Sequence, residues 1–182
     1  MVPEGPYPAV MDLGAPLRGT PAEPLLERLH VDLVPADPQP AWGRLAVATV
    51  VAVVGSLAAD AALVALGEAV FPSTRGFVHY QFADYAKLTV IGVLGACAGW
   101  PVVTRLASRP RWIFRLLAVV VTLVLFLPDL WIWLKGEPAQ GILVLLAMHV
   151  AIALVTYHAL VRIAPAGPDA RPGPTSGPAA DG

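Results

Sequence analysis

Four apolar runs, each long enough to cross a lipid bilayer as a helix, dominate the chain and leave it few other ways to fold. The first, from about Leu45 to Leu66, reads LAVATVVAVVGSLAADAALVAL. Its 22 residues at 1.5 Å each span about 33 Å, against a hydrocarbon core of about 30 Å. The others cover about 82–104, 113–134 and 142–163. Lipid offers no partner for backbone N–H and C=O groups, so each run must satisfy its own as an α-helix. The expected fold is an all-α membrane protein, with four transmembrane helices over 44–164 in an up-down bundle.

Composition agrees, since 57% of the 182 residues are hydrophobic and 14% charged, where a soluble domain carries about 25% charge. Four spans in so short a chain leave no room for a separate catalytic domain. A net charge of −1 without a clustered basic face speaks against nucleic acid as a partner. The single cysteine, Cys97, excludes an intramolecular disulfide and a thiolate metal site within one chain, and reads as a small buried apolar residue. The N-terminus, MVPEGPYPAVMDLGAP, lacks the basic start and immediate apolar stretch of a secretory signal, so the first span is expected to serve as an uncleaved insertion signal. Arginine outnumbers lysine ten to two and Ala, Gly and Pro abound, as in a GC-rich bacterial coding sequence, which points to the bacterial inner membrane.

Residues 1–43 are proline-rich and more acidic than basic, the composition of a tail without a fixed fold. Within it, Thr20-Pro21-Ala22-Glu23 forms a capping box ahead of Leu25, Leu26, Leu29 and Leu33. It marks either a short amphipathic helix over 21–31 lying on the membrane or a transient helix. Residues 165–182 are rich in Pro and Gly and read as a second tail. Positive charge sets the orientation. Arg18, Arg28, Arg44, Arg105, Arg109, Arg111, Arg115, Arg162 and Arg171 fall on one side, against Arg75, Lys87 and Lys135 on the other. Both termini are thereby expected in the cytoplasm. A reporter active only outside the cytoplasm will work when fused at residue 76 and fail at 109; the reverse pattern overturns the topology.

Ionisable groups inside a membrane cost about 2.5–3.5 kcal/mol each on insertion scales and need a partner or water. Three stand out: Asp60, Asp129 and His149. The expected topology puts Asp60 and His149 a few Å outside the midplane and Asp129 about 9 Å outside it, all in the outer half. Thr49, Ser56 and Asp60 fall within about 40° of one another on a helix. Thr122 lies seven residues before Asp129, and Thr156 seven after His149. Three helices so offer polar faces to a common centre, where His149 can pair with Asp60 or Asp129. One reading makes this cluster the polar glue that holds membrane helices together. The other makes it a proton-titrating or ligand-binding site reached from outside. His158, nine residues beyond His149, points the opposite way and shares a face with Arg162, where both reach for the head groups. In the second span Gly92, Gly95, Ala96 and Gly99 form a small-residue face for close backbone packing, within the bundle or across a dimer. The arginine-rich loop from Arg105 to Arg115 is a topology determinant or a seat for anionic lipid.

No H-E-x-x-H, C-x-x-C, Gly-rich phosphate loop or G-x-S-x-G elbow occurs, so no catalytic residue, metal ligand or cofactor is indicated. The core from Phe82 to Pro165 carries FADYAKLTVIGVLGACAGWPVV, the short arginine-rich loop, LPDL, and LLAMHV around His149. In these features it resembles a group of small bacterial four-span membrane proteins known only as a domain of unknown function. The resemblance implies no activity, substrate or catalytic residue. The leading expectation is a non-enzymatic accessory or partner subunit, in contact with lipid and with a membrane-protein partner or a second copy. The alternative is a small proton-coupled transporter or permease using Asp60, Asp129 and His149. A membrane enzyme acting on a lipid or prenyl substrate, with Asp129 as acid, is a third and lacks a supporting motif.

Overall fold

The computed structural model describes residues 35–167 together with Pro24. The segment 21–31 that holds the capping box therefore lies outside the described residues, Pro24 excepted. Four long helices carry the structure: α1 (Trp42–Val70), α2 (Phe82–Leu106), α3 (Pro110–Leu134) and α4 (Ala139–Ile163). All four are long and apolar enough to cross a membrane, and no strand occurs among the described residues. The chain runs up and down, as the four apolar runs require. One end of the bundle holds the start of α1, the turn 107–109 and the end of α4, with Arg44, Arg105, Arg109, Arg111, Arg115 and Arg162. We call it the arginine end. The far end holds the connection 71–81, with 3₁₀ turns at Pro72–Thr74 and Val78–Tyr80, and the turn 135–138. Gly136, at φ 100°, makes the left-handed step that stops α3, its N–H bonding the Trp133 carbonyl at 2.9 Å.

Tryptophans mark both water interfaces on α3. Arg115 lies 4.9 Å over the Trp112 ring and Lys135 4.8 Å over Trp131. The two rings are nineteen residues apart, about 28 Å of helix, which is close to the thickness of a hydrocarbon core.

The most extensive contact is between α1 and α4, with α2 against α1 and α3 against α4. Small residues permit it. α1 buries Ala48, Ala52, Ser56 and Asp60, four residues apart on one face. A Cβ on Gly55 would stand 3.0 Å from Val155 Cγ1, and one on Gly67 only 2.7 Å from Val144 Cγ2. Valine is stiff at χ1 and gives little. Gly67→Leu is thus expected to destabilise the bundle by about 1–3 kcal/mol, the usual cost of overpacking. Thermal unfolding in detergent measures this, and an unchanged melting temperature would mean the seam is loose.

The glycine face of α2 behaves otherwise. A Cβ at Gly92, Gly95 or Gly99 would meet nothing within 4 Å. Within the bundle the three glycines therefore make no close helix contact and, with Ala96, line an open cleft between α2 and α3. Bulky rings keep the helices apart. Trp100 of α2 meets Phe114 of α3 edge-on at 5.0 Å, and Phe114 stacks on Tyr157 of α4 at 6.1 Å. Gly95→Leu should leave the melting temperature of the isolated protein unchanged, in contrast to Gly67→Leu.

Residues that composition assigns to the tails also pack on the bundle. Residues 35–41, inside the stretch read as a tail, form a strap over the end of α2. The Ala36 N–H donates to the Thr104 carbonyl at 2.8 Å, and Gln39 Nε2 donates to the carbonyls of Ala36 and Thr104. Thr104 Oγ1 returns a bond to Gln39 Oε1 at 2.8 Å. Just past α4, the Gly167 N–H donates to the Pro38 carbonyl at 2.9 Å, and Ala166 is buried. Pro101 lies inside α2, which continues to Leu106.

Candidate functional site

Two apolar clusters fill the bundle. One, at the arginine end, includes Leu45, Ala48, Ala52, Val93, Trp100, Phe114 and Leu160. The other, at the far end, includes Phe77, Tyr80, Tyr85, Ile142, Leu145 and Met148. Between them lies a polar layer. Ser56 and Asp60 are fully buried, Thr89 and Thr156 are each 4% exposed and Asp129 is 7% exposed.

Antiparallel register brings these groups level. Gly55 faces Val155 and Gly67 faces Val144, so Asp60 stands opposite Val150, one residue from His149. On α3 only Pro110, Phe114 and Asp129 are buried, so Asp129 is the one inward carboxylate on a helix that otherwise faces lipid.

The three ionisable residues are held in two separate contacts. Thr89 Oγ1 donates to Asp60 Oδ2 at 2.7 Å, tying α2 to α1. His149 Nδ1 stands 3.2 Å from Asp129 Oδ2, tying α4 to α3. The same Nδ1 lies 2.9 Å from the Leu145 carbonyl one turn back. Two acceptors facing one ring nitrogen require an N–H there, so Nε2 is the nitrogen free to gain or lose a proton. The N–H is aligned on Leu145, which leaves the Asp129 approach an ion-pair contact without hydrogen-bond alignment and Asp129 Oδ2 without an aligned donor. The Phe126 ring meets the His149 ring edge-on at 6.2 Å. Of the two carboxylates that helical phase offered to His149, the structure brings Asp129 to it and gives Asp60 to a threonine.

The hydroxyls expected beside these groups divide. Thr49 and Thr122 bond carbonyls on their own helices, Leu45 at 2.9 Å and Ala118 at 2.7 Å, and Thr49 also meets the Cys97 thiol of α2. Ser56 Oγ, Thr156 Oγ1 and Asp60 Oδ1 are buried without a hydrogen-bond partner. Thr89, absent from the sequence reading, carries the shortest side-chain contact in the layer. Its signal was weak but present: Tyr85, Thr89, Val93 and Cys97 recur every four residues, and all are buried. His158 is exposed, as its opposite phase requires, and its ring meets Tyr157 edge-on. Among the described residues, no group of three His, Cys, Asp or Glu side chains is arranged to hold a metal ion.

Four apolar helices with a buried polar layer define a multi-pass integral membrane protein. The chain belongs to a family of unknown function, DUF6069, which it matches over residues 36–166. No curated protein and no solved structure matches it. The matched region opens at Ala36 and closes at Ala166, the two buried residues with which the strap and the end of α4 meet the bundle.

Proposed function

We propose that this four-span protein is a non-enzymatic accessory or partner subunit of the bacterial inner membrane, with both termini cytoplasmic and its polar layer joining helices. The observation that carries this reading is how the polar groups are used: Asp60 and Thr89 connect α1 with α2, and Asp129 and His149 connect α3 with α4. Within the polar layer, each outer helix is thus attached to one member of the central α1/α4 pair. Apolar side chains gain little by leaving lipid for one another, so such contacts supply specificity that packing alone does not. This reading assigns partner contact to the terminal sequences on either side of the described residues.

The second reading, a proton-coupled permease, draws on the spare acceptors. Asp60 Oδ1, Ser56 Oγ and Thr156 Oγ1 are buried and unpartnered, and buried polar atoms without partners mark sites that exchange protons, water or ligands. Liposomes containing only this protein separate the two. Under an imposed pH gradient they are expected to show no more proton flux than empty vesicles. Asp129→Asn and His149→Gln are expected to lower the melting temperature. Flux that Asp60→Asn abolishes without loss of folded protein would establish the permease instead.

A further inference from the structure

We propose that the cleft between α2 and α3 seats an acyl chain of an anionic phospholipid, with the arginines at its mouth taking the phosphate. The cleft has a volume of about 370 Å³, and its walls are almost wholly apolar. Gly92, Gly95 and Gly99 form one wall, Leu117 and Val121 the other, and Ala153 of α4 lies at its floor. Gly92, Gly95, Leu117 and Val121 are exposed, so the cleft opens sideways, where a membrane protein meets lipid rather than water.

Its length matches a single leaflet. From Gly92 to Val103 is eleven residues, about 16 Å of helix, and half of a hydrocarbon core is about 15 Å. It lies in the half of the bundle nearer the arginine end, so a chain filling it places its head group at that end. There the lining residues adjoin positive charge directly. Phe114 is followed by Arg115, and Arg109 lies in the turn that joins the two walls, whereas Arg105 reaches the other way, 5.8 Å over the Trp42 ring of α1. Arg109 and Arg115 are both exposed. The sequence holds no Asp or Glu between Asp84 and Asp129, so neither wall of the cleft nor its turn carries an acid to neutralise them. Arginine suits phosphate because its planar fork gives two parallel donors. Shape selects a chain, and charge selects an anion.

The test compares the full-length protein purified in neutral detergent and offered phosphatidylglycerol or phosphatidylcholine with identical acyl chains. Native mass spectrometry is expected to show one phosphatidylglycerol retained per monomer, with weaker retention of phosphatidylcholine. Arg109→Gln with Arg115→Gln should weaken phosphatidylglycerol binding about thirtyfold and erase the preference. Gly95→Leu, whose side chain enters open space, should abolish retention of both lipids while leaving the melting temperature of the lipid-free protein unchanged. Equal retention of both lipids by the parent protein overturns the proposal, as does undiminished lipid on Gly95→Leu. A parent dimer that Gly95→Leu converts to monomer would assign the cleft to a second copy and also overturn it.

Discussion

His149→Leu will lower the unfolding free energy of the detergent-solubilised protein by about 1–3 kcal/mol, the usual cost of leaving a buried polar group without its partner. Asp129 is 7% exposed on a helix that faces lipid, and the substitution takes away the imidazole 3.2 Å from its Oδ2. Asp129→Leu is the milder change. His149 then keeps the Leu145 carbonyl for its Nδ1 proton at 2.9 Å, and so retains a partner. The double substitution Asp129→Leu with His149→Leu should return to within about 1 kcal/mol of the parent, because interhelical polar contacts in membranes average only about 0.6 kcal/mol. Denaturant or thermal unfolding of the four proteins forms a complete cycle. If the double variant is as unstable as His149→Leu, the pair does not act as a unit, and the assignment of the polar layer to helix joining fails.

How much of this was legible beforehand depended on whether a feature is set by one helix or by two. Four helices long and apolar enough to span a membrane follow from hydropathy, because the bilayer fixes length and forces the backbone to pair within each segment. Which polar groups meet does not follow, since helical phase says where a side chain points and not which helix stands opposite. That is why Asp60 reaches Thr89, a hydroxyl lost within an apolar run, while His149 takes Asp129. The Gly95-x-x-x-Gly99 face shows the same gap. A small-residue face permits close approach but names no partner, and the tight seam formed instead at Gly55 and Gly67, which read as ordinary positions of an apolar run. The strap at Ala36 and Gln39 was hidden for another reason. Proline-rich composition predicts an unfolded tail, yet it is tertiary bonds to Thr104 that hold this segment in place.

Trp100→Ala is expected to cost about 3–5 kcal/mol, the range for deleting a buried aromatic, and to damage the whole arginine end. Trp100 is fully buried, its ring meets Phe114, and its Nε1–H donates to the Ala164 carbonyl at 2.9 Å. That carbonyl belongs to the C-cap of α4, where no next helical turn exists to accept from, so the indole satisfies an orphan of the helix end. One side chain thus joins α2, α3 and α4. Trp100→Phe separates its two roles. It keeps most of the buried area but leaves the Ala164 carbonyl unpaired, which should cost about 1–2 kcal/mol. The loss should be local: Gly167, whose N–H bonds Pro38 three residues beyond Ala164, is expected to exchange its amide hydrogen faster in Trp100→Phe, while amides of the α1/α4 seam do not. Hydrogen exchange with unfolding curves reads both effects. Should Trp100→Phe be as damaging as Trp100→Ala, the hydrogen bond rather than the ring would hold the arginine end closed. Should Gly167 exchange at the parent rate, the α4 cap and the strap are independent, and the coincidence of the family boundary with their junction needs another cause.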